Sequence, residues 1–211
     1  LTQNKMTVTQ VFAANELVHV SGQGYDPVGE FKVDSQTITA TEHDPVAMLL
    51  LSAALCNDAQ LHKGEGDAWR MIGDPTEGAL VVMAAKAGYD LGTLSAAFQR
   101  VGEVPFDSER KRMTTIHKID LKAEGAQGLA RVPHLPTPYV AFVKGGPDLV
   151  LDLCTSILDT GGMRAITADD RRRILEANEN MGNQALRVLG MAYRLLAENP
   201  GHNDGVEDNL V

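Results

Sequence analysis

The sequence predicts an α+β fold, an antiparallel or mixed sheet with helices packed on its faces. Three observations predict it. Segments of strand composition and segments with helix-start signals are mixed without a regular strand–helix–strand period. Aromatic residues are 5% of the chain while hydrophobic residues reach 44%, so the core must be built from Ala, Val, Leu, Ile and Met. The 20 glycines supply many turns. Internal repeats and low-complexity tracts are not found in the sequence.

Residues 6–12 have strand composition, and 17–20 form a second short strand. Residues 22–29 are turn-rich, and 31–41 are extended, with β-branched Val33, Thr37, Ile38 and Thr39. Asp44-Pro45 then opens a helix, Asp as N-cap and Pro at the first helical position. Residues 46–57 are apolar nearly all round, which predicts a buried helix. A short strand follows at 68–72. Asp74-Pro75-Thr76-Glu77 starts a second helix to about residue 87, with Gly88 as its stop. Residues 94–100 read as helical, and 101–106 and 113–119 as two strands.

Residues 121–138, rich in Gly and Pro, read as a loop. The apolar segment 139–143 predicts a central strand, and Pro147 opens a helix to residue 154. Thr167 caps an amphipathic helix that continues through Arg172, Leu175 and Asn178. Residues 186–196 read as a strand, and 199–208 as a polar tail.

Lys plus Arg is 19 and Asp plus Glu is 28, a formal charge of −9. That balance argues against nucleic acid, which needs a basic face, and against docking on an anionic membrane surface. The longest nearly apolar run, residues 46–56, is far short of the ~20 residues of a membrane helix. The start, Leu1-Thr2-Gln3-Asn4-Lys5, has no signal-peptide core and no initiator Met. A soluble piece of a longer protein is therefore expected. Cys56 and Cys154 each sit in an apolar stretch, which predicts two reduced core thiols. A metal pair or a catalytic thiol lacks the CxxC or nearby His it would need.

The usual phosphate loops are missing. There is no GxxxxGK[ST], and Gly22-Gln23-Gly24 lacks the third glycine of GxGxxG. The six histidines show no metal spacing, and His62-Lys63-Gly64-Glu65-Gly66-Asp67 reads as a solvated loop. No Ser/His/Asp or Cys/His constellation emerges from spacing.

Four segments remain. In Gly73-Asp74-Pro75-Thr76-Glu77-Gly78-Ala79-Leu80, Asp74 and Glu77 are spaced as a capping box, and taken alone that is all they need be. A helix start also offers free amides and a carboxylate that could meet a nucleobase amino group. Val104-Pro105-Phe106-Asp107-Ser108-Glu109-Arg110-Lys111-Arg112-Met113 sets one aromatic ahead of a compact cationic run. That is either a hairpin with a solvated charged face or a stacking platform with a cation five residues on for phosphates. Phe142-Val143-Lys144-Gly145-Gly146-Pro147 ends an apolar strand in a lysine and two glycines before a helix start. It serves as a plain strand-to-helix turn or as a close approach for an anionic ligand. In Gln184-Ala185-Leu186-Arg187-Val188-Leu189-Gly190-Met191-Ala192 a lone Arg enters an apolar strand, where most such residues are solvated.

Together and in this order, the four segments resemble the nucleotide-binding domain of P-type cation-transporting ATPases. The type II group, with its calcium, sodium and proton pumps, is the best match. The opening Leu1-Thr2-Gln3-Asn4-Lys5-Met6-Thr7-Val8 resembles the stretch just after that family's phosphorylation motif, Asp-Lys-Thr-Gly-Thr. The resemblance spans nearly the whole chain, residues 22–41 and 121–138 excepted.

The resemblance implies a twisted, mainly antiparallel sheet of about six to seven strands flanked by helices. It implies residues 1–12 as a hinge and domain start, 13–200 as the nucleotide-binding domain, and 201–211 as a tail to a second hinge. Phe106 matches the aromatic that stacks on adenine. Glu77 matches the carboxylate that accepts from the adenine amino group, with Thr76 beside it. Lys111 matches the lysine that reaches toward the phosphates, Lys144 the lysine deep in the adenine pocket, and Gly145 its wall. Arg187 matches the arginine near the β-phosphate, and Leu189 the apolar lid on the ribose side. Ser108 stands where some calcium pumps have an arginine and other members a serine, and Gly146 where alanine is common.

No catalytic or metal-ligating residue is implied within the chain. The implied ligand is ATP, with Mg²⁺ in the parent enzyme. The implied partners are the phosphorylation and actuator domains of the same parent chain, in the cytosol of an integral membrane protein. The chain would bind ATP without turning it over, and calcium is the first expectation for the transported ion. The alternatives are a pump for Na, K, H or Mg, a non-catalytic interaction module of the same fold, or a free-standing kinase or hydrolase. The last would need a carboxylate pair for metal and a base near the phosphates, and the sequence offers neither.

Overall fold

The computed structural model describes residues 5–64, 68–201 and 205–211. Its first strands, β1 (Gln10–Ala13) and β2 (Glu16–Val20), form a hairpin, followed by β3 (Phe31–Val33) and β4 (Gln36–Ile38). The four make one antiparallel meander in the order β1-β2-β3-β4. The 31–41 segment is thus a hairpin that ends in a 3₁₀ turn at Ala40–Glu42 rather than one extended run. Helix α1 (Asp44–Leu55) comes next, with nearly every residue buried. Its N-cap is His43, not Asp44, which lies one place further in, with Pro45 in the first turn.

After α1 comes a hairpin of β5 (Gln60–Lys63) and β6 (Trp69–Ile72), then α2 (Pro75–Lys86) and α3 (Leu91–Ala97). Helix α3 stops at Ala97, short of the expected residue 100. Phe98 is buried and starts β7 (Phe98–Asp107), where it pairs with Ile119 of β8 (Arg112–Ile119). Strand β9 (Tyr139–Gly145), helix α4 (Pro147–Asp152), the hairpin β10 (Ser156–Asp159) and β11 (Gly162–Ala165), helix α5 (Ala168–Asn183) and strand β12 (Gly190–Leu196) complete the order. β12 begins at Gly190; residues 186–189 lead into it from Ala185, which has φ 59°.

The α+β class with antiparallel pairing holds, but the strands divide among four sheets. The sheet that positions the site has four strands, in the order β12-β9-β8-β7. β9 pairs with both neighbours and is internal, as its apolar sequence predicts. Of the β5–β6 and β10–β11 hairpins, only β6 has a signal in the sequence. Their residues are only partly buried, so they carry little of the apolar alternation that marks a strand.

Alternation along the strands gives the main sheet two faces. Val140 and Phe142 of β9 and Tyr193 of β12 join Leu50, Leu51 and Met48 of α1 in the principal core. Thr115 donates to the Leu55 carbonyl at 3.3 Å, fixing the helix end to β8. On the other face Val143 and Ala192 pack against Val150 of α4, Cys154 and Leu210. Ile116 and Ala141 pack against Val206 there. Residues 205–211 therefore close the back of the sheet, and Val211 exchanges two backbone hydrogen bonds with Tyr193. Both cysteines are buried and unpaired, and burial pushes each thiol up to about 11. No described helix is long and apolar enough to cross a membrane.

Candidate functional site

One end of the main sheet gathers the chemistry. There β9 ends at Gly145, β7 ends at Asp107, β8 begins at Arg112 and β12 begins at Gly190. The register sets Arg112 opposite Gly145 and Gly145 opposite Gly190. The N-terminus of α2 comes to the same end and supplies Thr76 and Glu77.

Asp74 caps α2 as its sequence predicts, accepting from the amides of Thr76 at 2.8 Å and Glu77 at 3.3 Å. Its slight burial works against the charge, but those amides outweigh it and hold the carboxyl below its ordinary range. The expected capping box is only half made. Among the described residues the reciprocal bond, from the Asp74 amide to Glu77, is absent. Glu77 Oε1 instead takes Lys144 Nζ at 2.6 Å, and Oε2 takes the Asp58 amide at 3.3 Å. An ammonium removed from water is a stronger claimant on a carboxylate than a solvated amide. Lys144 is only 7% exposed. It stands on the face of β9 toward α1 and α2, opposite Met113 and Met191.

Asn57, just past α1, locks this corner. Its amide donates to the carbonyls of Ala53 at 2.9 Å and Glu77 at 3.0 Å, and its oxygen accepts from the Ala59 amide. Arg187, on the segment before β12, donates to Thr76 Oγ1 at 2.8 Å. Leu189 packs at the margin of the principal core.

The β7–β8 hairpin contributes the other members. Phe106 is 64% exposed. It lies in an irregular stretch between the Val104–Thr114 and Asp107–Arg112 pairs. Met113, the β8 residue between the partners of those two pairs, is itself paired with Lys144 of β9. Asp107 accepts from the amides of Glu109 and Arg110, both at 2.9 Å, and shapes the turn on which Ser108 is exposed. Lys111 adopts φ 49°, and its carbonyl accepts from the Gly146 amide at 3.1 Å. This close approach requires glycine at 145. A Cβ there would lie 2.6 Å from the Lys111 carbonyl oxygen and 2.6 Å from Arg112 Cβ.

The cationic run is not one solvated face. Arg110 and Arg112 both turn to Glu207, while Lys111 remains exposed with no acidic partner among the described residues. Glu207 and Asn57 had no signal in the sequence; Glu207 acts on residues 93 to 97 places away, and Asn57 joins the end of α1 to the start of α2. Of the expected site residues, Glu77 with Lys144 and Thr76 with Arg187 are in direct contact. Lys111 meets the Gly145-Gly146 turn through its backbone, and Phe106 and Ser108 stand on the exposed rim.

An apolar cavity of about 490 Å³ lies beside this end, between β1, α1, α5 and residues 185–192. Thr76, Arg187 and Leu189 belong to its wall; Glu77, Phe106 and Lys144 do not. Among the described residues Arg187 is its one charged wall residue.

Residues 45–211 match the family model described as P-type ATPase, cytoplasmic domain N. The chain is 34% identical over 195 residues to a calcium-transporting ATPase of Bacillus subtilis, covering 92% of this chain and 20% of that protein. It is 38% identical over 200 residues to the cation-transporting ATPase pma1 of Synechocystis, covering 92% and 20%. It is 31% identical over 195 residues to the calcium-transporting ATPase type 2C member 1 of Bos taurus, covering 91% and 18%. The chain thus spans about a fifth of the length of such relatives, the 20% covered in the first of them.

Proposed function

The chain belongs to the P-type ATPases as their cytoplasmic domain N, and we propose that it holds ATP so that the γ-phosphate can pass to an aspartate outside this chain. The observation that carries this reading is the shielded Glu77–Lys144 pair at the start of α2, on the sheet whose edge strand β7 carries the exposed Phe106. Adenine would stack on Phe106 and donate its amino hydrogen to Glu77. A carboxylate has about four lone-pair sites, and the two contacts to Lys144 and Asp58 leave room for that bond. The Gly145 backbone would form a wall beside the base. Exposed Lys111, and Arg187 beside Thr76, would guide the phosphates, with Leu189 toward the ribose and Ser108 on the rim.

Two guiding cations imply modest affinity, which suits a domain that must let product go in each cycle. Among the described residues no three His, Cys, Asp or Glu side chains converge on a metal site. Mg²⁺ would arrive bound to the phosphates of the nucleotide. The chemistry would belong to a phosphorylation domain of the parent chain, with an actuator domain as further partner. On this reading residues 1–12 and 201–211 lead to the hinges, and the domain faces the cytosol from an integral membrane protein. Two relatives carry calcium transport in their names, and calcium is the cargo proposed for the parent protein.

Calorimetric titration of the 211-residue chain with ATP, ADP, adenosine and GTP tests this. Saturable binding with adenine preferred over guanine is expected, because guanine presents a carbonyl where adenine presents its amino group. Phosphate release should stay at the buffer rate. A flat titration with ATP would overturn the nucleotide reading and favour an interaction module, and measurable turnover would favour a free-standing hydrolase.

A further inference from the structure

Arg110, Lys111 and Arg112 are three consecutive cations, yet among the described residues only the middle one is offered to solvent without an acidic partner. The cause is a single carboxylate 95 residues and more along the chain. Glu207 accepts from Arg110 Nη1 through both oxygens, at 2.8 and 2.9 Å, and from Arg112 Nε at 2.7 Å. Thr114 donates to it at 2.6 Å. Its side chain is only 14% exposed. Burial works against the Glu207 charge, but these donors outweigh it and hold the carboxyl below its usual range.

Both ends of this clasp are fixed. Glu207 lies between Val206 and Leu210, which are buried in the two back-face clusters, so the carboxylate sits on an anchored strap. Arg110 also donates through Nη2 to the Pro105 carbonyl at 2.8 Å, gripping the residue before Phe106. Arg112 donates to the Arg110 carbonyl at 3.3 Å and so closes the turn around Lys111. The flanking side chains are drawn to the back of the sheet. The Lys111 backbone is held at the front by the Gly146 amide.

Resting on the nucleotide reading above, we infer that Glu207 is a positioning residue for the phosphates. By occupying Arg110 and Arg112, it makes Lys111 the one cation of the run aimed at the ligand. Without it, three adjacent like charges would repel, and either arginine could take the place of Lys111.

The test is a double-mutant cycle on the chain, read as ATP and adenosine affinity. Glu207→Gln keeps size and polarity and removes the charge. It should weaken ATP about three- to tenfold and leave adenosine within about twofold, since adenosine has no phosphate. Lys111→Ala should weaken ATP by a similar factor in the wild-type background and by less than about twofold in the Glu207→Gln background. Should Glu207→Gln prove poorly folded by circular dichroism, Glu207→Asp takes its place: it keeps the charge but shortens its reach to both arginines, and should weaken ATP by a smaller factor while leaving adenosine within about twofold. Equal losses for ATP and adenosine would reduce Glu207 to a structural role and overturn the inference. Unchanged or tighter ATP binding, or independent effects of the two substitutions, would do the same. If the wild-type chain binds neither ligand, the nucleotide reading itself fails and this inference falls with it.

Discussion

Lys144 Nζ stands 2.6 Å from Glu77 Oε1, and the two side chains are only 9% and 18% exposed. The pair ties the end of the internal strand β9 to the first turn of α2. At this burial the desolvation of two charges offsets most of their attraction, so the intact pair adds little net stability. Breaking it is another matter, because the surviving charge keeps its desolvation cost and loses its partner. On the proposed nucleotide reading, the pair would hold two charged groups ready at one place for a ligand with both donors and acceptors.

An asymmetry in stability results. Lys144→Met and Glu77→Gln should each cost about 2–3 kcal/mol, read by urea denaturation, because each leaves one partner alone. Glu77→Gln combined with Lys144→Met should cost clearly less than the two single costs added together. Strictly additive values would show that the contact carries no coupling.

Phe106 should divide stability from binding. Its ring is 64% exposed, so Phe106→Ala removes little buried surface and should shift the unfolding free energy by less than about 0.5 kcal/mol. Stacking of a base on an aromatic is worth roughly 1–3 kcal/mol, so ATP and adenosine should both bind about tenfold more weakly. Calorimetry beside thermal unfolding checks both halves. Unchanged affinity would take Phe106 out of the site.

What the sequence disclosed depends on how far each interaction reaches along the chain. The caps at Asp74 and Thr167, and Pro147 after Gly146, are local devices, and each marks a helix start that the structure keeps. The apolar run of β9 announced an internal strand because both its faces are covered. The capping box expected of Glu77 was a local solution displaced by a distant one: Lys144 lies 67 residues away, and no local pattern records that contact. Glu207 is the same case in stronger form, acting on Arg110 from 97 residues away. Strands β5, β10 and β11 stayed hidden for a different reason, since a strand that buries little of either face has no reason to alternate.

The two glycines after Lys144 should respond differently to alanine. At Gly145 the added Cβ would meet the Lys111 carbonyl and the Arg112 side chain at 2.6 Å. One of these is backbone, so the β8 turn would have to move. Gly145→Ala should cost about 1–3 kcal/mol and weaken ATP binding along with it. At Gly146 the nearest atoms are 3.4 Å or more away, and φ −60° is open to any residue. Gly146→Ala should stay within about 0.5 kcal/mol, the weaker N-cap being offset by a less flexible unfolded chain. Matching costs at the two positions would refute the tight approach of the Lys111 turn to β9.

Acid should expose a buried histidine. His117 is 2% exposed, and its Nδ1–H donates to the Phe98 carbonyl at 3.0 Å. Its Nε2 finds no hydrogen-bond partner among the described residues. Burial, with nearby Arg100 adding to it and the Phe98 carbonyl opposing, pushes the imidazole down from 6.5 to about 4. The folded chain thus keeps His117 neutral where the unfolded chain binds a proton. Between pH 6.5 and 4 the unfolded state holds more protons, so stability falls as pH falls through that window. At pH 4 the loss from this one group should be about 3 kcal/mol. His117→Gln keeps a donor for the Phe98 carbonyl and removes the titration. Carboxylates such as Glu207 lose their own contribution in acid, but equally in both proteins. The difference between wild type and His117→Gln, measured by urea denaturation at pH 7.5 and pH 4, should therefore shift by about 3 kcal/mol in favour of the variant at the lower pH. A constant difference would mean that His117 carries its proton in the folded state as readily as in the unfolded one.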